Sequence, residues 1–454
     1  MKYFPLALLV FFTSHVMADQ VTVSIIDSGV DYQHQELANQ MWSNADEIAT
    51  NGIDDDENGY MDDVWGWSFV EARPDVIDYR WSWLYNRNIQ RFFDIQAKMI
   101  NGTATEDEMA WSSRMIDNFI FRLRLQTFGN YAHGTHVAGI AAFNNPDIQV
   151  QALKLIPTGI PLPAPSTFIP QFFNFEAEEI NPVVKFLLRL GFSWLAKQQG
   201  TIFLDVSNYL THEQVQVANG SFGTGMMQAR LIVNAILNLV FFNQEVDPAF
   251  ADEMAVYFLN EIIKQQRGMT DDNANTLFVF AAGNDGADND VFPVAPANIN
   301  ANNSISVAAC GQNFELAMFS NFGRQTVDLC ALGVAIDSTI PNDRRLRLSG
   351  TSQAAPQVSN AAANVLTING ELSPNQVKRI LNGTVDKIDA LRGKVRSGGI
   401  LHLERAKVAA ELSKNRPVWL AIFQANRRVP AQQRTLAVEN TDVFTFPLMS
   451  PISL

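Results

Sequence analysis

Six short runs of almost unbroken apolar residues punctuate the chain: VTVSIID (21–27), IQVQALKLI (148–156), VQVANGS (215–221), LFVFAAGN (277–284), SISVAAC (304–310) and QTVDLC (325–330). A strand with one face in water alternates apolar and polar residues, whereas these runs are apolar on both faces and need cover on both sides. Stretches of helical period separate them, and parallel neighbours need such crossovers. The pattern predicts an α/β fold of three layers, α/β/α, around a mostly parallel sheet. Helices over Gln228 to Phe242, Ala251 to Gln266, Ser352 to Leu366 and Leu403 to Leu412 are expected to cover it.

Two regions break the rhythm. Residues 71–128 carry aromatic residues at helical spacing with no strand signal, and read as an inserted helical pair. Residues 157–182, rich in proline and apolar side chains, read as an ordered surface loop. After Leu412 the last 42 residues change character, with Gln, Arg, Pro and one strand-like run, and 414–454 is taken as an extension.

With 454 residues, 47% of them hydrophobic, the chain can build a large core. Its formal charge of −14 argues against nucleic acid or an anionic membrane as the main partner, since both repel an acidic surface. The first eighteen residues, MKYFPLALLVFFTSHVMA, combine Lys2, an apolar run from Phe4 to Phe12 and small-residue spacing ending at Ala18. That is the pattern of a cleaved signal peptide, too short to span a bilayer, and it predicts an exported protein without stable membrane insertion: secreted, periplasmic or at the cell surface. A retained anchor is the weaker alternative. Export permits a disulfide between the two cysteines, Cys310 and Cys330, which end strand-like runs; two buried free thiols are the other reading.

Four local patterns carry chemistry. DSGV places Asp27 at the carboxyl end of the first strand, where open α/β sheets gather functional groups. HGTHVAG is read as the start of a small-residue helix opened by His133. AAGN delivers Asn284 to the end of another strand, where its amide can donate to a developing oxyanion. GTSQAAPQV puts Ser352 at a helix start, with Pro356 four residues on, unable to bond the Ser352 carbonyl. Taken singly, each has an ordinary structural reading: turn former, helix residue, Asn turn and N-cap.

Together and in this order, the four resemble the catalytic set of the subtilisin-like serine proteases, the subtilases. The resemblance runs from about Val21 to Leu412, since LSPNQVKRILNGTVDKI and GGILHLERA look like the closing helices of that domain. It implies a peptidase domain over 19–413 with a subtilisin-like fold and a secreted serine endopeptidase acting on protein or peptide substrates. Ser352 would be nucleophile, His133 general base and acid, Asp27 its orienting carboxylate, and Asn284 with the Ser352 N–H the oxyanion donors. VANGSFG looks like the family strand whose backbone, around Ser221, Phe222 and Gly223, lines the pocket before the scissile bond. The competing reading is a catalytically idle or autoinhibited protein that retains the fold.

Six acidic residues fall in the ten from Asp54 to Asp63. Asp54, Asp56 and Asn58 followed by Gly59 match the first half of an oxygen-ligand calcium loop, and Asp62 is a further candidate ligand. Trp65 stands where an EF-hand needs glutamate, so the loop is not an EF-hand; it resembles a segment of some bacterial subtilases, and the expectation is a structural Ca²⁺, against a solvated acidic turn. HGTH lacks the glutamate and spacing of a zinc protease helix.

Three departures from the family pattern stand out. Gln353 occupies the usual Met position and Leu332 the usual Pro position, neither of which handles a proton. Two residues separate Ala18 from the first strand, too few for the family's N-terminal propeptide. The insertion or the extension is therefore the expected shield of the cleft.

Overall fold

The structure, a computed structural model, describes residues 20–100, 102–159, 182–241, 246–433 and 444–446. The expected signal peptide and nearly all of the proline-rich loop lie outside the described residues.

Eleven strands occur among them: β1 Val21–Asp27, β2 Gly66–Ser68, β3 Ile148–Lys154, β4 Val217–Gly220, β5 Leu277–Ala281, β6 Ser304–Cys310, β7 Leu329–Leu332, β8 Ile336–Ile340, β9 Arg344–Leu348, β10 Asp386–Lys387 and β11 Gly399–Ile400. The α-helices are α1 Arg87–Ile100, α2 Glu106–Asp117, α3 Phe119–Ala141, α4 Pro182–His212, α5 Met226–Val240, α6 Pro248–Asp272, α7 Thr351–Ile368, α8 Pro374–Gly383, α9 Leu403–Ser413 and α10 Val418–Arg428. The main sheet has the order β10-β11-β7-β6-β5-β4-β1-β3-β2, parallel except for the β10–β11 pair. Val23 pairs with Val150 on one side and Val217 on the other, so β1 is an interior strand, and all its residues are buried.

The order reverses at β1: the chain leaves it for β2 and then β3 on one side and later returns to β4 on the other. A crevice opens outside the carboxyl ends of strands at such a point, and Asp27 and Ser221 both stand there. Helix α7 crosses beneath. Ala354, Ala355, Val358, Ala361 and Ala362 have no exposed surface, and these small side chains let the helix lie close on the sheet. Phe278 and Phe280 of β5 are also fully buried, each worth about 2–3 kcal/mol in area removed from water.

The insertion is larger than a helical pair. A 3₁₀ turn over Tyr79–Leu84 precedes α1 and α2, and α3 begins at Phe119 under the cap of Asn118, whose side chain accepts the Phe121 N–H. Nothing breaks α3 before Ala141, so His133 does not open a helix as expected; it sits well inside one that starts in the insertion. Phe92, Phe93, Phe121 and Phe128 form a separate core there with the β8–β9 hairpin and Phe446. The run QTVDLC enters the sheet only at Leu329, because Asp328 turns inward to accept the Ser306 N–H. The segment after Leu412 begins with a further helix, α10, burying Val418, Ala421 and Ala425. Cys310 and Cys330, on adjacent strands with Cα atoms 6.0 Å apart, form a disulfide.

Candidate active site

Asp27 is fully buried at the end of β1. Its Oδ1 accepts the Ser28 N–H at 2.7 Å and lies 2.7 Å from His133 Nδ1, while Oδ2 is buried without a partner among the described residues. Because Nδ1 faces a carboxylate it carries the proton, which leaves Nε2 of the neutral ring as the basic nitrogen. The close approach of α3 to β1 depends on Gly134, where a Cβ would stand 2.2 Å from the Gly29 carbonyl oxygen. The Gly134 N–H donates to Ser28 Oγ at 3.1 Å.

Ser352 is the second residue of α7 and nearly buried. Its hydroxyl donates to the Ser221 carbonyl at 3.2 Å rather than to His133. In return, the Ser221 hydroxyl donates to the Ser352 carbonyl at 3.1 Å, the carbonyl that Pro356 leaves without its helical donor. Ser221 is itself held by Asn219, whose amide donates at 2.9 Å, and Ser359 of α7 donates to Asn219 Oδ1 at 3.0 Å. This buried relay ties β4 to α7. Sequence reading missed Asn219 and Ser359; Asn219 lies inside the VANGSFG motif, but its link to Ser359 spans 140 residues.

Asn284 follows β5 through Gly283, whose φ of +116° and lack of room beside Asn321 both call for glycine. Its Oδ1 accepts from the N–H and the hydroxyl of Thr351, both at 2.9 Å. That clamp fixes the amide so that Nδ2, the donor end, faces the crevice. Nδ2 donates to the carbonyl of Phe446 at 3.0 Å. Thr351, whose hydroxyl also accepts the Gly283 N–H at 3.1 Å, is a positioning residue sequence reading passed over.

The arrangement thus joins Asp27 to His133, and Ser352 to Ser221, with Asn284 locked beside the start of α7. A comparison of the sequence with known families matches residues 18–405 to the subtilase family. The chain belongs to the subtilase family. It is 35% identical over 135 residues to subtilisin-like protease 2 of Plasmodium falciparum (isolate 3D7), covering 29% of this chain and 10% of that one. It is 23% identical over 420 residues to subtilisin-like protease 1 of Plasmodium berghei (strain Anka), covering 87% and 50%. The chain therefore spans half or less of the length of these curated relatives. Among solved structures it is similar to a cold-adapted subtilisin-like serine proteinase, with a TM-score of 0.46, 17% identity, and coverage of 87% and 93%.

In this subtilase the wall residues Ser221, Phe222 and Gly223 are all buried. The Phe222 ring stacks on Phe203 in the core, 6.1 Å between centroids, so the segment faces the crevice with its backbone. Gln353 is buried behind Ser352, and the Leu332 carbonyl accepts from the Gln357 amide.

The acidic loop does not assemble the four expected ligands. Carboxylate oxygens of Asp54 and Asp56 converge with Glu47, all within 4.8 Å of one another. Asp62 turns away to accept the N–H groups of Asn51 and Gly52, and Asn58 Oδ1 accepts the Tyr60 N–H. Glu47, seven residues before Asp54, joins Asp54 and Asp56 instead, and the carboxylates of all three also accept loop N–H groups. Three convergent carboxylates fit a hard divalent cation.

Proposed function

We propose that this subtilase is an exported serine endopeptidase that cleaves proteins or peptides through Asp27, His133 and Ser352. The 2.7 Å contact between Asp27 and His133 Nδ1, at the sheet's switch point, carries the reading. During attack, His133 Nε2 takes the proton of Ser352 Oγ and later passes it to the leaving amine. Asp27 holds the tautomer and stabilises the imidazolium. The tetrahedral oxyanion meets Asn284 Nδ2 and the Ser352 N–H, a donor in the first turn of α7, where the helix dipole favours negative charge. The Ser352 to His133 bond forms once Oγ leaves the Ser221 carbonyl, as catalytic bonds in ligand-free enzymes often tighten only with substrate. A substrate lies along the Ser221–Gly223 backbone as an added strand, held there mainly by main-chain hydrogen bonds.

Export is supported by the basic, then apolar, segment of residues 1–18 and by the Cys310–Cys330 disulfide, a bond that persists in oxidising compartments. Among the described residues no helix is long and apolar enough to cross a membrane. A Ca²⁺ held by Glu47, Asp54 and Asp56 would clip the loop to the domain; EDTA is then expected to lower the melting temperature, and an unchanged melt removes the ion from the proposal.

A fluorophosphonate probe tests the central claim. Wild type is expected to label and Ser352→Ala not to label. Asn284→Ala should lose on the order of 100- to 1,000-fold in peptide turnover, the loss typical for one oxyanion donor. Folded wild type that does not label is an idle or autoinhibited member of the fold, and labelling of Phe446→Ala separates the two.

A further inference from the structure

One turn before His133, Gly129 of α3 makes room for an aromatic ring: a Cβ there would stand 2.5 Å from the ring of Phe446. That ring is buried, with centroids 6.0 Å from Phe93 and 5.2 Å from Phe444. Phe444 in turn meets Phe92 of α1 edge to face at 5.2 Å. Main-chain groups of the segment are bound as well. The Phe444 N–H donates to Oε1 of the buried Gln96 at 3.0 Å, and the Gln96 amide is oriented by donating to Ser112 Oγ at 3.1 Å. Two residues on, the Phe446 carbonyl accepts from Asn284 Nδ2. Rings packed only for bulk would not need side-chain amides at both ends of the segment. An N–H and a C=O met by fixed amides, with two rings between, is how a site holds a peptide ligand.

We propose that α1, α3 and Asn284 form a binding site for peptides of aromatic-x-aromatic pattern, filled in this chain by Phe444–Phe446. The occupant engages the donor meant for the oxyanion and so holds the enzyme inactive until a competing peptide displaces it. This rests on the reading of Asn284 as oxyanion donor. The substrates favoured at the site are accordingly segments with two aromatic residues one apart, because only these refill both ring positions and meet both amides once the internal segment leaves.

The test uses full chains and the synthetic peptide NTDVFTFPLMS, residues 440–450. Phe446→Ala should label with a fluorophosphonate on the order of tenfold faster than wild type, since removing a buried aromatic anchor raises the open fraction. The fluorescently tagged peptide should bind Phe446→Ala in an anisotropy titration and slow its labelling again, while the same peptide with both Phe replaced by Ala should do neither. Gly129→Ala, a helix-favouring change that fills the seat, should label fast and fail to bind the peptide. Measurable labelling at the same rate in wild type and Phe446→Ala, or no peptide binding to Phe446→Ala, overturns the proposal. If no chain labels but the peptide binds Phe446→Ala and not Gly129→Ala, the seat stands and the nucleophile assignment fails.

Discussion

Pro356 and Ser221 act on the same atom from opposite directions. The proline withholds the N–H that would cap the Ser352 carbonyl, and the Ser221 hydroxyl supplies a donor instead. Ser221→Ala leaves that buried carbonyl and the Asn219 amide short of partners, a loss of about 1–3 kcal/mol. Pro356→Ala returns an N–H at the helical position, so the double variant should lose less than the two single changes combined. Urea unfolding of the four chains measures the coupling; strict additivity would show that the two residues do not share the carbonyl. Asp27, His133, Asn284 and Ser352 could be singled out in sequence because each sits in a short motif, although the motif did not show that His133 lies inside a longer helix. The bond from Asn284 to Phe446 was not legible, since 162 residues separate the partners and neither position marks the other.

Periodicity located helices and central strands where apolar residues repeat, and failed where elements merge or stay short. β8 and β9 illustrate the second case: RRLRL alternates charge with leucine and forms a hairpin whose register rests on Leu348 opposite Ile336. α3 illustrates the first, because helix-forming residues run unbroken from the insertion into the His133 motif. Its glycines then separate close packing from mere tolerance. Gly134→Ala drives a methyl into the Gly29 carbonyl at 2.2 Å and should destabilise by about 1–3 kcal/mol, the range for overpacked sites, while displacing His133 and cutting probe labelling. Gly191 of α4 has nothing within 4 Å of its would-be Cβ. Gly191→Ala should therefore stabilise by about 0.5–1 kcal/mol through helix propensity and leave labelling unchanged. Thermal melts paired with labelling rates check both, and a stabilising Gly134→Ala would refute the close approach of α3 to β1.

Across the whole molecule, α3 is held to parts of the chain far away in sequence by Asp27, by the β8–β9 hairpin and by α7, where Asn360 Nδ2 donates to the Ala141 carbonyl at 2.9 Å. The hairpin tie runs through His136, whose Nε2 donates to the Leu346 carbonyl at 3.0 Å, while the Ser338 and Thr339 hydroxyls donate to the carbonyls of His136 and Thr135 at 2.8 Å. Burial pushes the His136 pKa down to about 3, so the folded protein keeps the ring neutral, with Nδ1 enclosed and unpaired among the described residues. An unfolded chain protonates the same ring near its ordinary pKa of about 6.5. The stability linked to this ring is therefore complete above about pH 6.5 and is lost as pH falls toward 3, by up to about 1.4 kcal/mol per pH unit. His136→Gln retains an N–H for Leu346 without a titrating ring. Between pH 7 and pH 5, wild type should lose about 2 kcal/mol more in unfolding free energy than the variant. Parallel losses in urea melts at the two pH values would place the acid sensitivity elsewhere. A variant that holds its stability to pH 5 would make His136 the group through which acid loosens α3 from the hairpin, and with it the seat of His133.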